Sequence, residues 1–513
     1  MKRTITKWLA ILVVIAMAGT MFAGCSGETK GKTDSTDSTA SESNSQSGGE
    51  ISQTNDEDVS VTGETLAPEQ SDATTKRPDS SMTTTKKNQT VPTVEVPVFS
   101  NEKIVDLGGY EMTIATMWAN EWESSKSNNG AAIRKFETIK KQIEKDYNAK
   151  INIKSVLPER MLDDITKASS AGDLYADVIQ AGPIVYYNLV VQKMLTPINN
   201  LKDLNPDDTG WVKTYKKMTT YNGKFYGISW INNVSSAPLR KAMFFNKDLM
   251  AQYKQPNLYD LVSKGEWTWD KWETIMRDVA SKSSNKVYGV GAYDHGSLAL
   301  AMTSANNASM YSESGGKFSY TGDSANAVEA MEYVQKIVKD RLVAPDMEGF
   351  WVDTTLKRFT DGKALFYVHD YFAVTHINEN MKQKYGVVPF PKGPKASNYS
   401  SHYGEGQFLS FMAGNKNQAK AAKLLFALAK RTNDTKWIDT QVKTLLCDKE
   451  SGEMLKYLVN NPVVDCTPLL PQFGVTMLGT LKKIAKGEVG AKAGLANAKL
   501  TAQTNLNDFF KQK

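Results

Sequence analysis

Side chains that commonly carry out catalysis are few in this 513-residue chain, and they form no recognised catalytic motif. Three carboxylates, Asp294, Asp370 and Glu405, could supply the acid pair of a glycoside hydrolase, which needs a separation of about 5–9.5 Å. The chain has no His-Glu-x-x-His pattern, Walker A loop, Gly-x-Ser-x-Gly elbow or Cys-x-x-Cys pair. We therefore predict a protein that is not an enzyme, with no catalytic residue, metal site or cofactor, and keep an exported hydrolase as the remote alternative.

The N-terminal segment, which ends at the first of the three cysteines, indicates export. Three cysteines in 513 residues exclude a disulfide scaffold. The N-terminus has a basic segment and then the apolar run Trp8–Ala18, which is too short to span a bilayer but suits the core of a signal peptide. Residues 22–25 (FAGC) resemble the bacterial lipoprotein box, so we predict a signal peptide over residues 1–24 and a lipid on Cys25. An ordinary secretory signal with an incidental cysteine is the alternative.

The other two cysteines, Cys447 and Cys466, leave two possibilities open. In an exported protein they can form a disulfide, which would stabilise the fold by about 3 kcal/mol on the chain-entropy model. They can equally be two buried thiols.

Residues 25–97 are predicted to be a disordered tether. Residues 26–97 contain 26 Ser and Thr and no Phe, Tyr or Trp, so they cannot bury enough apolar surface to offset the entropy of ordering. They carry 13 acidic and 6 basic residues, a charge of −7, while residues 1–25 carry +3. The net charge of +6 therefore leaves 6 − 3 + 7 = +10 for residues 98–513. That surplus contains no basic block, so nucleic-acid binding is not expected.

The chain from residue 98 onward alternates strands and helices. Strands are predicted at Glu111–Trp118, Lys150–Val156 and Ala176–Gln180, with helices at Ile133–Tyr147 and Arg160–Ser170 between them. The order β-α-β-α-β predicts a parallel sheet flanked by helices, which is an α/β fold.

The segment from Trp267 to Trp272 predicts the start of another helix. Thr268 suits the N-cap position, and Trp267 and Trp272 can form a hydrophobic staple. These tryptophans could bind a sugar, but their helical spacing favours core packing. Further helices are predicted around Val328–Val338 and Ala419–Ala429, and a strand at Ala364–Val368.

These segments resemble, in their order and spacing, family 1 of the extracellular solute-binding proteins, the receptors of carbohydrate importers driven by ATP. The resemblance covers roughly residues 105–510. The segments that carry it are Glu111–Trp118 (EMTIATMW), Ala176–Gly182 (ADVIQAG), Val191–Asn199 (VQKMLTPIN), Tyr221–Ser229 (YNGKFYGIS), Phe244–Leu249 (FFNKDL), Phe359–Phe366 (FTDGKALF), Tyr385–Gly393 (YGVVPFPKG), Gly404–Phe411 and Asn417–Ala429.

The resemblance implies a type II periplasmic-binding-protein fold, with two discontinuous α/β lobes joined by a hinge that the chain crosses several times. Crossings are expected near Ile231–Arg240, Ser401–Phe408 and Cys447–Lys456. Lobe 1 would comprise residues 98–235 with 405–450, and lobe 2 residues 236–404 with 451–513. The ligand would lie between the lobes, beyond the carboxyl ends of the strands.

Sugars present apolar faces and a ring of hydroxyl groups, so aromatic and polar residues at strand ends are the candidate contacts. Each aromatic could instead pack within a lobe, and each carboxylate could cap a helix or pair with a lysine. The candidates are Trp118, Asn120, Trp122, Gln180, Trp230, Asn232, Tyr293, Asp294, Asp370, Tyr371, Tyr403 and Glu405.

The resemblance further implies a monomeric receptor on the outer face of the cytoplasmic membrane. Its partners would be a carbohydrate ligand, the membrane through the lipid anchor, and the permease subunits of an ABC importer. A receptor for another solute, or a ligand carrier for a sensor kinase, is the alternative.

Overall fold

The computed structural model describes residues 99–123, 130–205, 207–208, 210–230, 241–345, 347, 354–403, 406–434, 436–446 and 448–512. These residues belong to one compact unit. The predicted signal peptide, the predicted lipidation site Cys25, the predicted tether and Cys447 lie outside the described residues.

The described residues form strands in five sheets. The strands are β1 (Tyr110–Thr116), β2 (Ala149–Ser155), β3 (Val178–Ala181), β4 (Leu195–Thr196), β5 (Thr220–Tyr221), β6 (Lys224–Phe225), β7 (Lys241–Asn246), β8 (Tyr288–Ala292), β9 (Tyr311–Ser314), β10 (Lys317–Tyr320), β11 (Ala364–Asp370), β12 (Tyr385–Val388), β13 (Ser401–Tyr403), β14 (Phe408–Met412) and β15 (Pro462–Val464).

Helices cover and connect these sheets. They are α1 (Gly130–Asp146), α2 (Met161–Ala171), α3 (Pro183–Val191), α4 (Lys213–Met218), α5 (Lys247–Gln252), α6 (Leu258–Ser263), α7 (Trp269–Lys282), α8 (His295–Ala305), α9 (Ala325–Lys339), α10 (Thr354–Thr360), α11 (Ala373–Asn380), α12 (Gln418–Thr432), α13 (Trp437–Gln441), α14 (Lys449–Asn460), α15 (Pro471–Ala485) and α16 (Ala491–Phe510). Single helical turns lie at Ala119–Glu121, Ile198–Asn200, Val442–Leu446 and Thr467–Leu469.

Sheet 1 has the strand order β2-β1-β3-β14-β4. Strands β1, β2 and β3 are parallel, and β14 runs antiparallel to β3 and β4. The predicted β-α-β-α-β unit is confirmed, with each strand and helix within about two or three residues of its predicted bounds. Strand β14 brings a segment from late in the chain into this sheet, so sheet 1 is discontinuous in sequence.

Sheet 2 has the strand order β12-β7-β11-β8. Strand β11 is parallel to β8 and antiparallel to β7, and its register places Asp370 opposite Lys241. The end of β11, the end of β8 and the start of β7 therefore share one edge of the sheet.

Helix α7 illustrates how local sequence sets these elements. The Thr268 side chain accepts a hydrogen bond from the Lys271 amide and caps the helix, as predicted. Trp267 and Trp272 are fully buried in the core that packs on sheet 2. The core-packing interpretation of these tryptophans is confirmed.

Part of the predicted crossing at Cys447–Lys456 is helical, because residues 449–456 lie in helix α14. Before this helix, the Gln441 side-chain oxygen accepts a hydrogen bond at 3.1 Å from the hydroxyl of Tyr371, the residue after β11 of sheet 2. The predicted crossings stay predictions.

Residues 99–109 form a strap along α12, beside sheet 1. The Phe99 ring packs edge-on against Trp211 at 4.7 Å between centroids. Glu102 pairs with Arg431 at 2.7 Å near the end of α12. Lys420, near its start, donates to the Leu107 carbonyl at 3.0 Å. The strap thus runs the length of the helix before the chain enters β1.

The described helices include none that is both long enough and apolar enough to cross a membrane.

Candidate functional site

The edge of sheet 1 at the carboxyl ends of β1 and β3 gathers four of the predicted residues. Trp118, Asn120 and Trp122 lie in or beside the helical turn that follows β1, and Gln180 lies in β3. Trp122 and Gln180 are buried, whereas Trp118 and Asn120 are half-buried. The exposed part of this edge is therefore supplied by Trp118 and Asn120.

A relay of hydrogen bonds organises this edge. The Gln180 oxygen accepts from the Thr116 hydroxyl and from the Trp122 indole, both at 2.6 Å. The Gln180 amide nitrogen donates to the Gln407 side-chain oxygen at 3.1 Å, and Gln407 in turn donates to a Glu121 carboxylate oxygen at 3.2 Å. An indole N–H can only donate and a carboxylate can only accept, so the direction of every bond in the relay is fixed.

Trp118 lies where three segments meet. Its backbone amide donates to the Thr116 hydroxyl at 2.9 Å, which directs the chain away from β1. A side chain at Gly182, after β3, would come within 3.3 Å of the Gly406 carbonyl and 3.9 Å of the Trp118 ring. The glycine therefore permits the close approach of residue 406, which lies within the second predicted crossing, to this edge.

The corresponding edge of sheet 2 holds a buried ion pair. The Lys241 ammonium lies 2.7 Å from the Asp370 carboxylate, and the two side chains are 12 % and 5 % exposed. The antiparallel register of β7 and β11 places these residues side by side. The predicted contact Asp370 is therefore already paired with Lys241, a cation that the sequence analysis did not single out.

Aromatic rings surround this ion pair. The Lys241 ammonium lies 6.0 Å from the centroid of the half-buried Tyr293 ring, and the His369 ring contacts Tyr293 edge-on at 5.2 Å. Phe372, which is also half-buried, packs edge-on against His369 at 5.6 Å. Tyr293 is thus a partly exposed ring at this edge, with a cation and an imidazole near it.

His402 lies in the buried region next to this edge. It is 2 % exposed in β13, and its Nδ1 is 3.0 Å from the Ser304 hydroxyl of α8. Burial lowers the pKa of His402 to about 4, with Asp465 and Asp370 opposing that shift and Lys241 adding to it. The imidazole is therefore neutral at pH 7.

Two predicted contacts, Trp230 and Tyr371, are core residues in this structure. Trp230 is 2 % exposed, and its indole donates to the Thr432 hydroxyl at 2.8 Å. Tyr371 is 1 % exposed and stacks on Phe244 at 6.4 Å, and burial raises its pKa. Both rings are therefore packed inside the protein in this structure.

Asp294 also has a structural role. Its carboxylate caps α8 by accepting from the Ser297 amide at 2.6 Å, which is the alternative that its position before a helix left open. Asn232 and Glu405 lie outside the described residues. Tyr403 ends β13, but the structure does not describe its side chain.

Sequence reasoning missed Glu121, Gln407 and Lys241. Lys241 opens the apolar strand KAMFFN directly after the first crossing, and a charge at that position could have drawn attention. Gln407 lies within the second predicted crossing, directly before β14. Glu121 lies between the predicted contacts Asn120 and Trp122, and no sequence pattern singled it out. Cys466 is buried, and Cys447 lies outside the described residues, so the disulfide and the two buried thiols both stay open. Within the described ranges, no group of His, Cys, Asp and Glu could hold a metal ion.

Comparison with solved structures identifies proteins that have the same fold. Solved structures with the same fold include the GacH receptor of Streptomyces glaucescens, unliganded and with acarbose (17 % identity, TM-score 0.54, 78 % of this chain and 99 % of that chain). They also include the sugar-binding protein MalE of Xanthomonas citri (14 %, 0.59, 79 % and 100 %) and the cyclic α-maltosyl-1,6-maltose binding protein of Arthrobacter globiformis (13 %, 0.59, 78 % and 100 %). At these identities the likeness establishes the fold, which is the predicted type II α/β fold.

No curated protein matches this chain significantly. A family model described as bacterial extracellular solute-binding protein matches residues 138–442, which is more than half of the chain. The match spans strands of both sheets and the connections between them, and confirms the predicted family. The chain belongs to the bacterial extracellular solute-binding proteins.

Proposed function

We propose that this protein captures a carbohydrate between two lobes and delivers it to the permease of an ABC importer, while a lipid on Cys25 anchors it to the outer face of the membrane. The lobes are built around sheet 1 and sheet 2. The proposed lobe boundaries are residues 98–235 with 405–450 for the lobe around sheet 1, and residues 236–404 with 451–513 for the lobe around sheet 2.

The half-exposed Trp118, with Glu121 in the helical turn that follows it, is the observation that carries the proposal. An aromatic face can pack on the C–H surface of a sugar, while carboxylates and amides accept and donate to its hydroxyl groups. Asn120 on the same turn adds a polar group. Tyr293 supplies a second half-buried ring at the edge of sheet 2. This combination is typical of a site for a polyhydroxylated ligand.

The ligands of the structural neighbours support this ligand class. The GacH receptor is described in complex with acarbose, and a cyclo/maltodextrin-binding protein with maltotetraose. A solute-binding protein of Thermotoga lettingae is described with α-D-tagatose. We infer that a ligand of this type contacts both sheet edges and so selects the closed arrangement of the lobes.

The proposed contacts have different roles. Trp118, Asn120 and Tyr293 would touch the ligand directly, because their side chains are half-buried at the sheet edges. Trp122 and Gln180 would act by shaping the sheet 1 edge. Of the remaining predicted contacts, Asn232, Tyr403 and Glu405 stay candidates because of their place in the sequence.

The proposal is tested by a thermal-shift screen of the purified full-length protein in detergent, followed by calorimetry. The panel contains maltotetraose, acarbose, α-D-tagatose, spermidine and a peptide mixture. We expect at least one sugar to raise the unfolding temperature and to bind with a one-to-one stoichiometry. Stabilisation by spermidine or peptides alone would favour a receptor for another solute.

The anchor and the transport role are tested separately. Cys25→Ala should release the protein into the medium, because the lipid can no longer be attached. Retention of this variant in the membrane fraction would contradict the anchor. Uptake of the bound sugar should stop when the gene is deleted, and a response of a sensor kinase without uptake would instead favour the signalling alternative.

A further inference from the structure

The outer side of strand β2 in sheet 1 is closed by side chains instead of by another strand. Strand β2 stands first in the order β2-β1-β3-β14-β4 and pairs with β1 on its inner side. A strand in such a place presents backbone N–H and C=O groups on its outer side, to which a further strand can add. Successive residues of a strand turn these groups to opposite sides, so every second residue of β2 faces outward.

Ile151 is the outward residue at which this side is closed. Its amide donates to the Glu144 Oε1 atom at 2.8 Å, and its carbonyl oxygen accepts from the Lys140 ammonium at 3.0 Å. The Lys140 ammonium also donates to the same Glu144 oxygen at 2.9 Å. The ion pair therefore offers Ile151 one acceptor and one donor, which is what a neighbouring strand would offer.

The position of the pair in α1 indicates that this contact is not a by-product of helix formation. Lys140 and Glu144 lie one turn apart, in the order lysine then glutamate, which stabilises a helix less than the reverse order. Glu144 also lies in the last turn of α1, where the helix dipole disfavours a negative charge. The two side chains are 18 % and 20 % exposed, in keeping with a place between the helix and the strand. The contact with Ile151 offsets these local costs.

The outermost strands of sheet 2 are closed by neutral groups. At β12, the Val387 amide donates at 3.0 Å to the hydroxyl of Ser451, which is fully buried. At β8, the Val290 amide donates to the Leu342 carbonyl at 2.9 Å, and the Ala344 amide donates to the Val290 carbonyl at 2.7 Å. The closure at β2 depends instead on two charged side chains near the surface, so we expect that it can be removed without unfolding the protein.

We propose that the Lys140–Glu144 pair closes sheet 1 against strand addition by a second copy of this chain, so that its removal turns the outer side of β2 into a self-association surface. While Ile151 is occupied, the seven-residue strand is divided, and a further strand finds no continuous run of outward groups. Once Ile151 is released, the run extends over a length that paired strands commonly have. The proposal goes beyond the proposed function and does not depend on a ligand.

The second copy is expected to add through its own β2. Identical outermost strands can pair about a two-fold axis, which is the commonest symmetry of protein dimers. The two lysines of β2 would oppose such pairing if their charges pointed outward alone. Lys150, however, lies 3.7 Å from Glu111, and Lys154 donates to the Tyr175 carbonyl at 3.2 Å. An antiparallel pair of β2 strands would therefore join the two copies of sheet 1 into one continuous sheet.

The test follows single backbone amides by hydrogen exchange and mass spectrometry, on the full-length protein in an excess of detergent. In Lys140→Ala with Glu144→Ala, the Ile151 amide of dilute protein should exchange at least about tenfold faster than in wild type, because it has lost its acceptor. In concentrated protein, the outward amides of Ile151 and Ile153 should become protected again, and light scattering should show dimers or larger species. Wild type should stay monomeric, with a protected Ile151 amide, at both concentrations.

Lys357→Ala with Asp361→Ala is the matched control. This pair has the same order and spacing at the end of α10, at 2.9 Å, and its removal also leaves the net charge unchanged. It should alter neither the exchange of the Ile151 amide nor the association state. Glu144→Gln keeps an oxygen that accepts from the Ile151 amide, so it should keep most of the protection and stay monomeric. This variant separates the hydrogen bonds of the closure from its charge.

The outcomes decide the proposal in two steps. Wild-type exchange of the Ile151 amide in the double alanine variant, or a folded variant that stays monomeric when concentrated, overturns it. Association without renewed protection of the β2 amides overturns the assignment to β2. If the double variant does not fold, Glu144→Ala takes its place, since it removes the acceptor alone, and the same results overturn the proposal. Sugar binding enters none of these measurements, so the proposed function can fail while this proposal stands.

Discussion

The two sheet edges solve one problem in different ways. Each edge buries polar side chains next to a ring that is half exposed, Trp118 on sheet 1 and Tyr293 on sheet 2. Sheet 1 satisfies its buried groups with neutral amides and leaves the charge at the outer end of the relay. Sheet 2 buries both charges, Lys241 and Asp370, in direct contact. The sheet 2 edge therefore depends on both charged partners being present together. The sheet 1 edge instead depends on each hydrogen bond of the relay having its donor and acceptor in the right order.

The largest effect is expected from breaking the sheet 2 ion pair. Lys241→Met leaves Asp370 buried without its counter-charge, which should lower the free energy of unfolding by about 3–5 kcal/mol. Urea denaturation at pH 7 measures the loss. Adding Asp370→Leu to this variant should recover most of the stability, because no buried charge remains.

A surface ion pair gives the matched control. Lys357 and Asp361 lie one helical turn apart at 2.9 Å, with side chains 72 % and 37 % exposed. Lys357→Met should change the unfolding free energy by less than about 1 kcal/mol. Equal losses in Lys357→Met and Lys241→Met would show that burial of the sheet 2 pair has no energetic consequence.

The next effect concerns acid stability near the same edge. The pKa of His402 is lowered to about 4 by burial, so between pH 6.5 and 4 the unfolded chain binds a proton that the folded protein does not. Stability should therefore be complete above pH 6.5 and fall toward pH 4, by on the order of 3 kcal/mol.

His402→Asn isolates this contribution, since the amide can still bond to Ser304 but does not titrate. Urea denaturation at pH 7 and pH 4.5 should show a smaller loss for His402→Asn than for wild type. His376→Asn, at a half-buried position in α11, should follow wild type. An identical loss in His402→Asn and wild type would contradict the assignment to His402.

The smallest effect on stability separates two tryptophans of the sheet 1 region. Trp118→Ala should change the unfolding free energy by about 0.5 kcal/mol or less, yet weaken maltotetraose binding about tenfold, because its ring is half exposed at the edge. Trp230→Phe loses the bond to Thr432 and should cost about 1–2 kcal/mol without changing affinity. Calorimetry and urea denaturation of both variants check this, and the opposite pattern would reverse their roles.

The regular elements could be predicted from sequence because their signals are local. The caps and apolar spacing of α7 and the alternation in β1 depend on neighbouring residues. The family followed from the order of such segments. The site was harder, because whether Trp118 or Trp230 faces outward depends on packing against distant residues such as Thr432.

For the same reason, local sequence patterns could not predict which residues pair across strands. Lys241 and Asp370 are neighbours only through the antiparallel register of β7 and β11. Gln407 reaches Gln180 across 227 residues of sequence. A single sequence places each of these residues near a strand end, but not beside its partner.

The strap along α12 determines where a mechanical pull on the N-terminal chain enters the fold. Force applied at Phe99 must first extract its ring from between Trp211 and Phe426, and then shear the Glu102–Arg431 pair. Both lie ahead of β1 in the path of the load. With the proposed anchor on Cys25, traction would therefore reach the contacts with α12 before it reaches β1 and the turn that carries Trp118 and Glu121.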